Sequence, residues 1–379
     1  MSGPLTKFIY RTLQGGKLLA AQSHKQLAAS VMALLEPEVS ARQRFTMAPE
    51  LRSAMQSSID LLMERDWHDA MHGVYPVDLL FDIPWLDWAG RYPSLWLDLP
   101  NTWSRIRRRD VATIPEKINR QDYPRYYLQN FHYQTDGYLS DHSASLYDLQ
   151  VEILFSGMTD AMRRRILSPI RRWRDSRPST GGDAPLRILD VATGTGRAMR
   201  QLRAAFPRAE LTGIDLSPAY LREARRGMAN LPGAAPQLMR ANADALPFEA
   251  ETFDVVSCVF LFHELPRPVR AQVARECLRV LRPGGLMVMA DSIQKGDYPA
   301  FSSLLELFPR SFHEPFFGDY IHDQIDRHLV DAGFQNLEAE CHFMTKIWSG
   351  LKPAVPCATP PRGSQAAAAA ARSGPAPVR

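Results

Sequence analysis

Cysteine is scarce in this chain: four in 379 residues, Cys258, Cys277, Cys341 and Cys357, far apart and with no Cys-x-x-Cys pair. That spacing excludes a zinc module and a disulfide framework, and it suits a reducing compartment, the cytoplasm. No run of 18 uncharged apolar residues occurs, so no stretch is long enough to span a bilayer as a helix. A secretory signal is not expected either, because the N-terminus lacks an apolar core of sufficient length followed by a cleavage site. Charge of one sign is also lacking. The net charge is +4 with acids and bases mixed along the chain, which makes no demand for nucleic acid. The length suggests two domains, and 45% apolar residues supply ample core.

What is present centres on Leu186-Arg187-Ile188-Leu189-Asp190-Val191-Ala192-Thr193-Gly194-Thr195-Gly196. A short, near-continuous apolar run ending in an acid reads as a buried parallel strand. Gly194 and Gly196 permit a tight turn with positive φ and let a ligand reach bare backbone. The helix expected from Arg197 aims its free N–H groups into that crevice. A second strand, Ala209 to Asp215, ends in an acid 19 residues beyond Gly196, where a carboxylate can accept both hydroxyls of a ribose. A third, Gln237 to Arg240, precedes Ala241-Asn242-Ala243-Asp244-Ala245-Leu246-Pro247-Phe248. The fourth is Phe253 to Phe262 and the fifth Leu286 to Ala290. Between these two, Val269, Val273, Cys277, Leu278 and Leu281 recur at helical spacing before the stop Arg282-Pro283-Gly284-Gly285.

These pieces resemble the class I S-adenosylmethionine-dependent methyltransferases, above all the ubiquinone/menaquinone-biosynthesis C-methyltransferase type and its wider type 11 relatives. The resemblance is carried by Leu189 to Gly196, Gly213-Ile214-Asp215, Ala241 to Phe248 and Val280 to Gly285, with a looser match at Tyr147-Asp148-Leu149 and Phe155-Ser156-Gly157-Met158. It covers roughly residues 145–350. It implies a Rossmann-like, doubly wound α/β sheet of seven strands with an antiparallel last strand, and S-adenosyl-L-methionine as cofactor. By the same resemblance Asp190, Gly194 and Gly196 line the methionine end, Asp215 the ribose and Asp244 the adenine amino group, with Ala192, Thr193, Leu216, Asn242 and Ala245 also binding the cofactor and Tyr147 near its amino-acid end. The rival Rossmann reading is a nicotinamide dehydrogenase. Its usual third glycine is missing, with Met199 and Arg200 in that place, and the Ala-Asp-Ala-Leu-Pro-Phe stretch has no task there.

The fourth strand runs into Phe260-Leu261-Phe262-His263-Glu264. Ligands bind outside the carboxyl ends of strands in such sheets, so His263 and Glu264 are the candidate catalytic pair, the imidazole read as a neutral base near pH 7. The Asp/Asn-Pro-Pro-Tyr/Phe motif of amino-methylating nucleic-acid enzymes is absent. Weight therefore moves to C- or O-methylation of a small, apolar, ring-bearing acceptor such as a phenol, quinol or lipid-like molecule. The alternatives are an RNA or protein methyltransferase, using the arginines of residues 163–177, or a non-catalytic scaffold of the same fold. No metal and no nucleic acid are expected, and oligomeric state is left open.

The remainder divides into a mostly helical, aromatic-rich N-terminal region with a lid (1–145), the methyltransferase domain (146–351), and a Pro/Ala-rich tail expected to be disordered (352–379). Residues 1–35 carry Lys7, Arg11, Lys17 and Lys25 and no acid. A packed docking helix, a helix lying on a membrane and an organelle transit peptide all fit, so peripheral membrane contact stays open. Residues 50–72 read as a helix ending in His68-Asp69-Ala70-Met71-His72, which imitates a metalloprotease motif but lacks its Glu and a third ligand. From Pro76 to Pro124 recurring prolines predict an irregular aromatic layer, with four of the seven Trp within 19 residues. Tyr123 to Tyr147 is dense in aromatics and reads as a lid. Residues 158–177 predict a helix with a solvated arginine face, and Ser179 to Ala184 a linker. Gly296 to Tyr320 reads as a Phe- and Pro-rich insertion, Asp319 to Ala332 as a helix, and Phe334 to Cys341 with Phe343 to Ser349 as the closing strand pair.

Overall fold

A computed structural model describes residues 3–43, 45–177 and 185–354. The expected linker (179–184) and most of the expected disordered tail lie outside the described residues.

Five strands run parallel: β1 (Arg187–Val191), β2 (Glu210–Asp215), β3 (Gln237–Arg240), β4 (Phe253–Val259) and β5 (Leu281–Ser292). They are joined by β6 (Gln335–His342) and β7 (Thr345–Leu351) in the order β3-β2-β1-β4-β5-β7-β6. β7 pairs antiparallel with both β5 and β6, so the last strand alone runs against the sheet. Alternation along the strands divides the core. Ile188, Leu211, Val255, Leu286 and Val288 face one layer of helices, and Leu189, Ile214, Val256, Met287 and Met289 the other.

The helices are α1 (Pro4–Leu35), α2 (Pro37–Gln43), α3 (Pro49–Met71), α4 (Trp85–Arg108), α5 (Asp141–Leu154), α6 (Thr159–Arg164), α7 (Leu167–Ser176), α8 (Arg197–Ala205), α9 (Pro218–Met228), α10 (Arg267–Val280), α11 (Ser302–Ser311), α12 (Phe317–Tyr320) and α13 (Ile325–Ala332). The N-terminal helices share the sheet's core. Tyr10 of α1 and Ile59, Leu62 and Met63 of α3 belong to the same apolar cluster as Ile188, Leu202 and Val288.

Three expectations need correction. Residues 85–108 are not irregular but form one helix of 24 residues with Pro93 and Pro100 inside it. The prolines are seven residues apart, hence on one side, and both are exposed, so the hydrogen bonds they omit are omitted toward water. Leu95, Asp98 and Trp103 face inward.

The arginines of 163–177 do not form one solvated face. Arg163, Arg164 and Arg165 are buried, and the more exposed ones are on α7 or, for Arg177, just after it. Asp66 of α3 receives Arg164 through both Nε (2.8 Å) and Nη2 (2.5 Å), Arg165 Nη2 (2.9 Å), Tyr10 Oη (2.7 Å) and Tyr75 Oη (2.6 Å). Burial would raise its carboxyl, but Arg164 and Arg165 outweigh burial and hold it down at about 2.

The helix expected over 319–332 is broken. Gln294 Nε2 takes the carbonyls of Tyr320 (2.8 Å) and Asp323 (2.7 Å), and α13 starts only at Ile325. Among the described residues no helix is long and apolar enough to cross a membrane.

Candidate active site

The carboxyl ends of β1, β2 and β4 and the turn after β3 open into one crevice. Its floor is Asp190, Ala192, Thr193, Gly194, Thr195, Asp215, Leu216 and Asn242; Phe260, Leu261, Glu264 and Leu265 form one side. Tyr126, Tyr127, Phe131, Tyr138 and Tyr147 roof it. The first turn does what its residues require. Ala192 and Gly194 both adopt left-handed backbone (φ +56° and +55°), and a Cβ added to Gly194 would meet no atom within 4 Å. The backbone is therefore bare on the ligand side. Asp215 accepts from the amides of Gly194 (2.9 Å) and Ser217 (2.8 Å), which fixes its carboxylate at the mouth of that turn. Asp190 accepts from Ser257 Oγ (2.6 Å) and Thr193 Oγ1 (2.8 Å). Burial pushes both carboxyls up to about 6 against these donors.

The expected site residues do not all meet here. Asp190, Ala192, Thr193, Gly194, Asp215, Leu216, Asn242, Tyr147 and Glu264 line the crevice, whereas Gly196, Asp244, Ala245 and His263 do not. Gly196 (φ +81°) turns the chain and lets α9 approach: a Cβ there would lie 3.1 Å from that of Ala224. Asp244 stands at the rim, close enough to Tyr126 to help burial raise its hydroxyl to about 12. Ala245 is exposed.

His263 is behind the crevice. Its Nδ1 lies 2.6 Å from Asp291 Oδ1, and although burial favours the neutral ring, Asp291 prevails and raises it to about 9. The neutral base expected from the sequence is thus a protonated ring paired with an acid. That acid also accepts from the amide of Phe262 (2.7 Å), so the pair braces the turn that presents Glu264.

Sequence reasoning missed the groups around Glu264. Tyr138 Oη donates to it, and His132 Nε2 lies 3.6 Å from Glu264 and 2.8 Å from Glu314, a buried acid between α11 and α12. Burial favours neutral His132, but Glu314 and Glu264 raise it to about 10. Both His132 and Tyr133 hold left-handed backbone (φ +57° and +56°), so this turn is fixed by its surroundings. Asp291 had a signal in the sequence, an acid at the end of an apolar strand like Asp190 and Asp215, and His132 and Tyr138 fell within the expected lid without a role at Glu264; Glu314 had none.

An open glycine turn with an acid at its mouth, between parallel strands, fits a nucleoside bearing a charged amino-acid arm. Comparison with known proteins agrees. A methyltransferase-domain family profile matches residues 188–285. The chain is 34% identical over 174 residues to the ubiquinone/menaquinone biosynthesis C-methyltransferase of Syntrophotalea carbinolica, covering 45% of this chain and 67% of that protein. The chain belongs to the class I S-adenosylmethionine-dependent methyltransferases.

This methyltransferase is also 32% identical over 153 residues to the demethylmenaquinone methyltransferase of Thermotoga maritima, covering 40% of this chain and 59% of that one. Its identity to the phthiotriol/phenolphthiotriol dimycocerosates methyltransferase of Mycobacterium leprae is 36% over 173 residues, covering 44% and 61%. The methyltransferase thus spans roughly six-tenths of the length of these relatives. Its cofactor is S-adenosylmethionine, and the bare backbone at Gly194 and the carboxylate of Asp215 fit it.

Proposed function

We propose that this chain methylates a hydrophobic, ring-bearing small molecule, a phenol, quinol or related lipid-like metabolite, at carbon or oxygen. The observation that carries the proposal is the roof: five aromatic rings enclose a crevice whose acceptor side presents one carboxylate, Glu264. Stacked and edge-on rings favour a flat apolar guest, and the relatives named above act on quinone or lipid substrates by their names.

The cofactor when bound supplies an electrophilic methyl group on sulfur. The chain's own residues then have three tasks. Asp215 accepts the ribose hydroxyls, and the amides of the Gly194 turn hold the amino-acid arm. Tyr138, Tyr147 and Phe131 exclude water and orient the acceptor ring, which makes the displacement effectively intramolecular. Glu264 accepts the hydrogen bond of the acceptor's hydroxyl and holds its proton, and His263 with Asp291 positions Glu264.

Two features bear on partners. Arg163, Arg164 and Arg165 are buried in the protein, which gives the RNA reading little to stand on. On α1, the exposed Leu5, Phe8, Ile9, Leu19, Leu27 and Leu34 fall within about 100° of one another around the helix. That uncharged stripe supports contact with a membrane holding an apolar acceptor, in an otherwise cytoplasmic enzyme. The cations of α1 do not add to it. Lys7 and Arg11 pair with Glu64, Lys17 with Glu152, and Lys25 donates to Leu154 O and Ser156 Oγ.

Calorimetry with S-adenosylmethionine and S-adenosylhomocysteine tests the cofactor site. Asp215→Ala is expected to weaken binding by about 2–3 kcal/mol through loss of charge-assisted hydrogen bonds. Unchanged affinity would refute the site, and no binding by the parent protein would support the scaffold reading. Radiolabelled cofactor incubated with lipid, RNA and protein fractions tests the acceptor, and label is expected in lipid.

A further inference from the structure

Where the crevice meets the roof, three side chains from distant parts of the chain converge. His132 Nε2 and one oxygen each of Glu264 and Glu314 lie within 4.8 Å of one another, the one such group of three metal-binding residue types among the described residues. Glu314 is 3% exposed, and neither of its oxygens has a hydrogen-bond partner. His132 Nε2 approaches to 2.8 Å but also makes no hydrogen bond, so the contact is off line. The His132 imidazolium counters Glu314 as an ion pair, but no aligned hydrogen bond reaches either buried oxygen, and a metal ion taking the place of the ring's proton would meet those lone pairs.

We infer that His132, Glu264 and Glu314 form a binding site for a divalent first-row transition ion such as Zn2+ or Mn2+, open toward the acceptor. One imidazole and two carboxylates are a borderline nitrogen and oxygen set. It suits these ions better than Mg2+ or Ca2+, which take oxygen alone, or copper(I), which takes sulfur. Three protein ligands leave coordination positions free, as catalytic sites require, and Glu264 lines the crevice, so the free positions face the guest. Tyr138 Oη, donating to Glu264, orients that ligand from outside. The ion's task rests on the acceptor reading above: it binds the acceptor's hydroxyl oxygen, and the proton passes to the Glu264 oxygen that does not hold the ion. Its binding does not depend on that reading.

The test uses the full chain stripped with a chelator, dialysed, and titrated with Zn2+ by calorimetry and with Mn2+ by electron paramagnetic resonance, without cofactor or acceptor. His68 and His72, stacked at 3.9 Å at the end of α3, are an imidazole pair able to collect an ion, so the starting protein carries His68→Gln and His72→Gln. One equivalent is expected to bind, and Glu314→Gln or His132→Gln is expected to weaken it at least about 100-fold while S-adenosylhomocysteine affinity is kept. No saturable binding of either ion to the protein lacking His68 and His72 overturns the inference. So does binding that survives both Glu314→Gln and His132→Gln. Cofactor affinity measured on the same samples separates this outcome from failure of the cofactor site.

Discussion

Asp190 sits in a place that opposes its charge. It is 1% exposed, and its carboxyl is raised from 3.8 to about 6, burial outweighing the hydroxyl donors Ser257 and Thr193. A carboxyl raised on folding leaves stability intact below the unfolded value and removes it as pH rises toward the folded one. Asp190→Asn is therefore expected to stabilise the protein by up to roughly 3 kcal/mol above pH 6 and little at pH 4, read by urea unfolding at both. Asp66 has the opposite sign. Held at about 2, it contributes stability at neutral pH that is lost as pH falls through 3.8 toward 2. Asp66→Asn is expected to cost about 3–5 kcal/mol in guanidinium unfolding, because Arg164 keeps its charge and loses its buried acid, while Arg165 is left with Asp69 alone. Gly194 and Gly196 divide a third prediction between them. Alanine at 194 meets open space but must hold a left-handed φ of +55°, so Gly194→Ala should weaken cofactor binding and cost about 1 kcal/mol of stability. Alanine at 196 runs into Ala224, so Gly196→Ala should lower the melting temperature as well.

Among the elements, the sheet was readable because its strands are buried on both faces. Ile188 to Val191 and Phe253 to Cys258 are near-continuous apolar runs, interrupted only by Asp190 and by Asp254 and Ser257. The first helix after the glycines followed from the same logic. Helix α4 was not readable, since proline at 93 and 100 is a breaking signal and only the three-dimensional exposure of both explains the tolerance. The floor of the site was legible for a related reason: Asp190, Gly194 and Asp215 come at strand ends. His132 and Glu314 carry no such mark. They stand 182 positions apart in the sequence, and only the packing of the roof on the segment between α11 and α12 brings them to one point. His263 shows a third kind of failure. Its position at a strand end was legible, but its protonation was set by Asp291, from the neighbouring strand.

At the scale of the whole molecule, the apolar stripe of α1 lies on the outside, and Leu34 is 81% exposed. Leu86 and Leu97 of α4 are also largely exposed, while α1 and α4 touch through His24 against Tyr92 and Trp96. If this side meets lipid, replacing Leu5, Phe8 and Ile9 together by Ser should lower co-flotation with neutral phosphatidylcholine vesicles severalfold. Because the basic side chains of α1 are engaged within the protein, anionic lipid should add little, and raising the salt should leave flotation unchanged. A strong dependence on anionic lipid would place the contact elsewhere.

The knot of Asp66 with Arg164 and Arg165 also bears on folding. A chain trimmed to the strands and their own helices would retain both guanidinium groups and lose the acid that neutralises them, along with the two phenols that complete its shell. Loss of helices α1 and α3 would also open to water the apolar cluster they share with the sheet, Met158, Met162 and Ile166 among it, so they are expected to unfold and refold with the sheet as one unit.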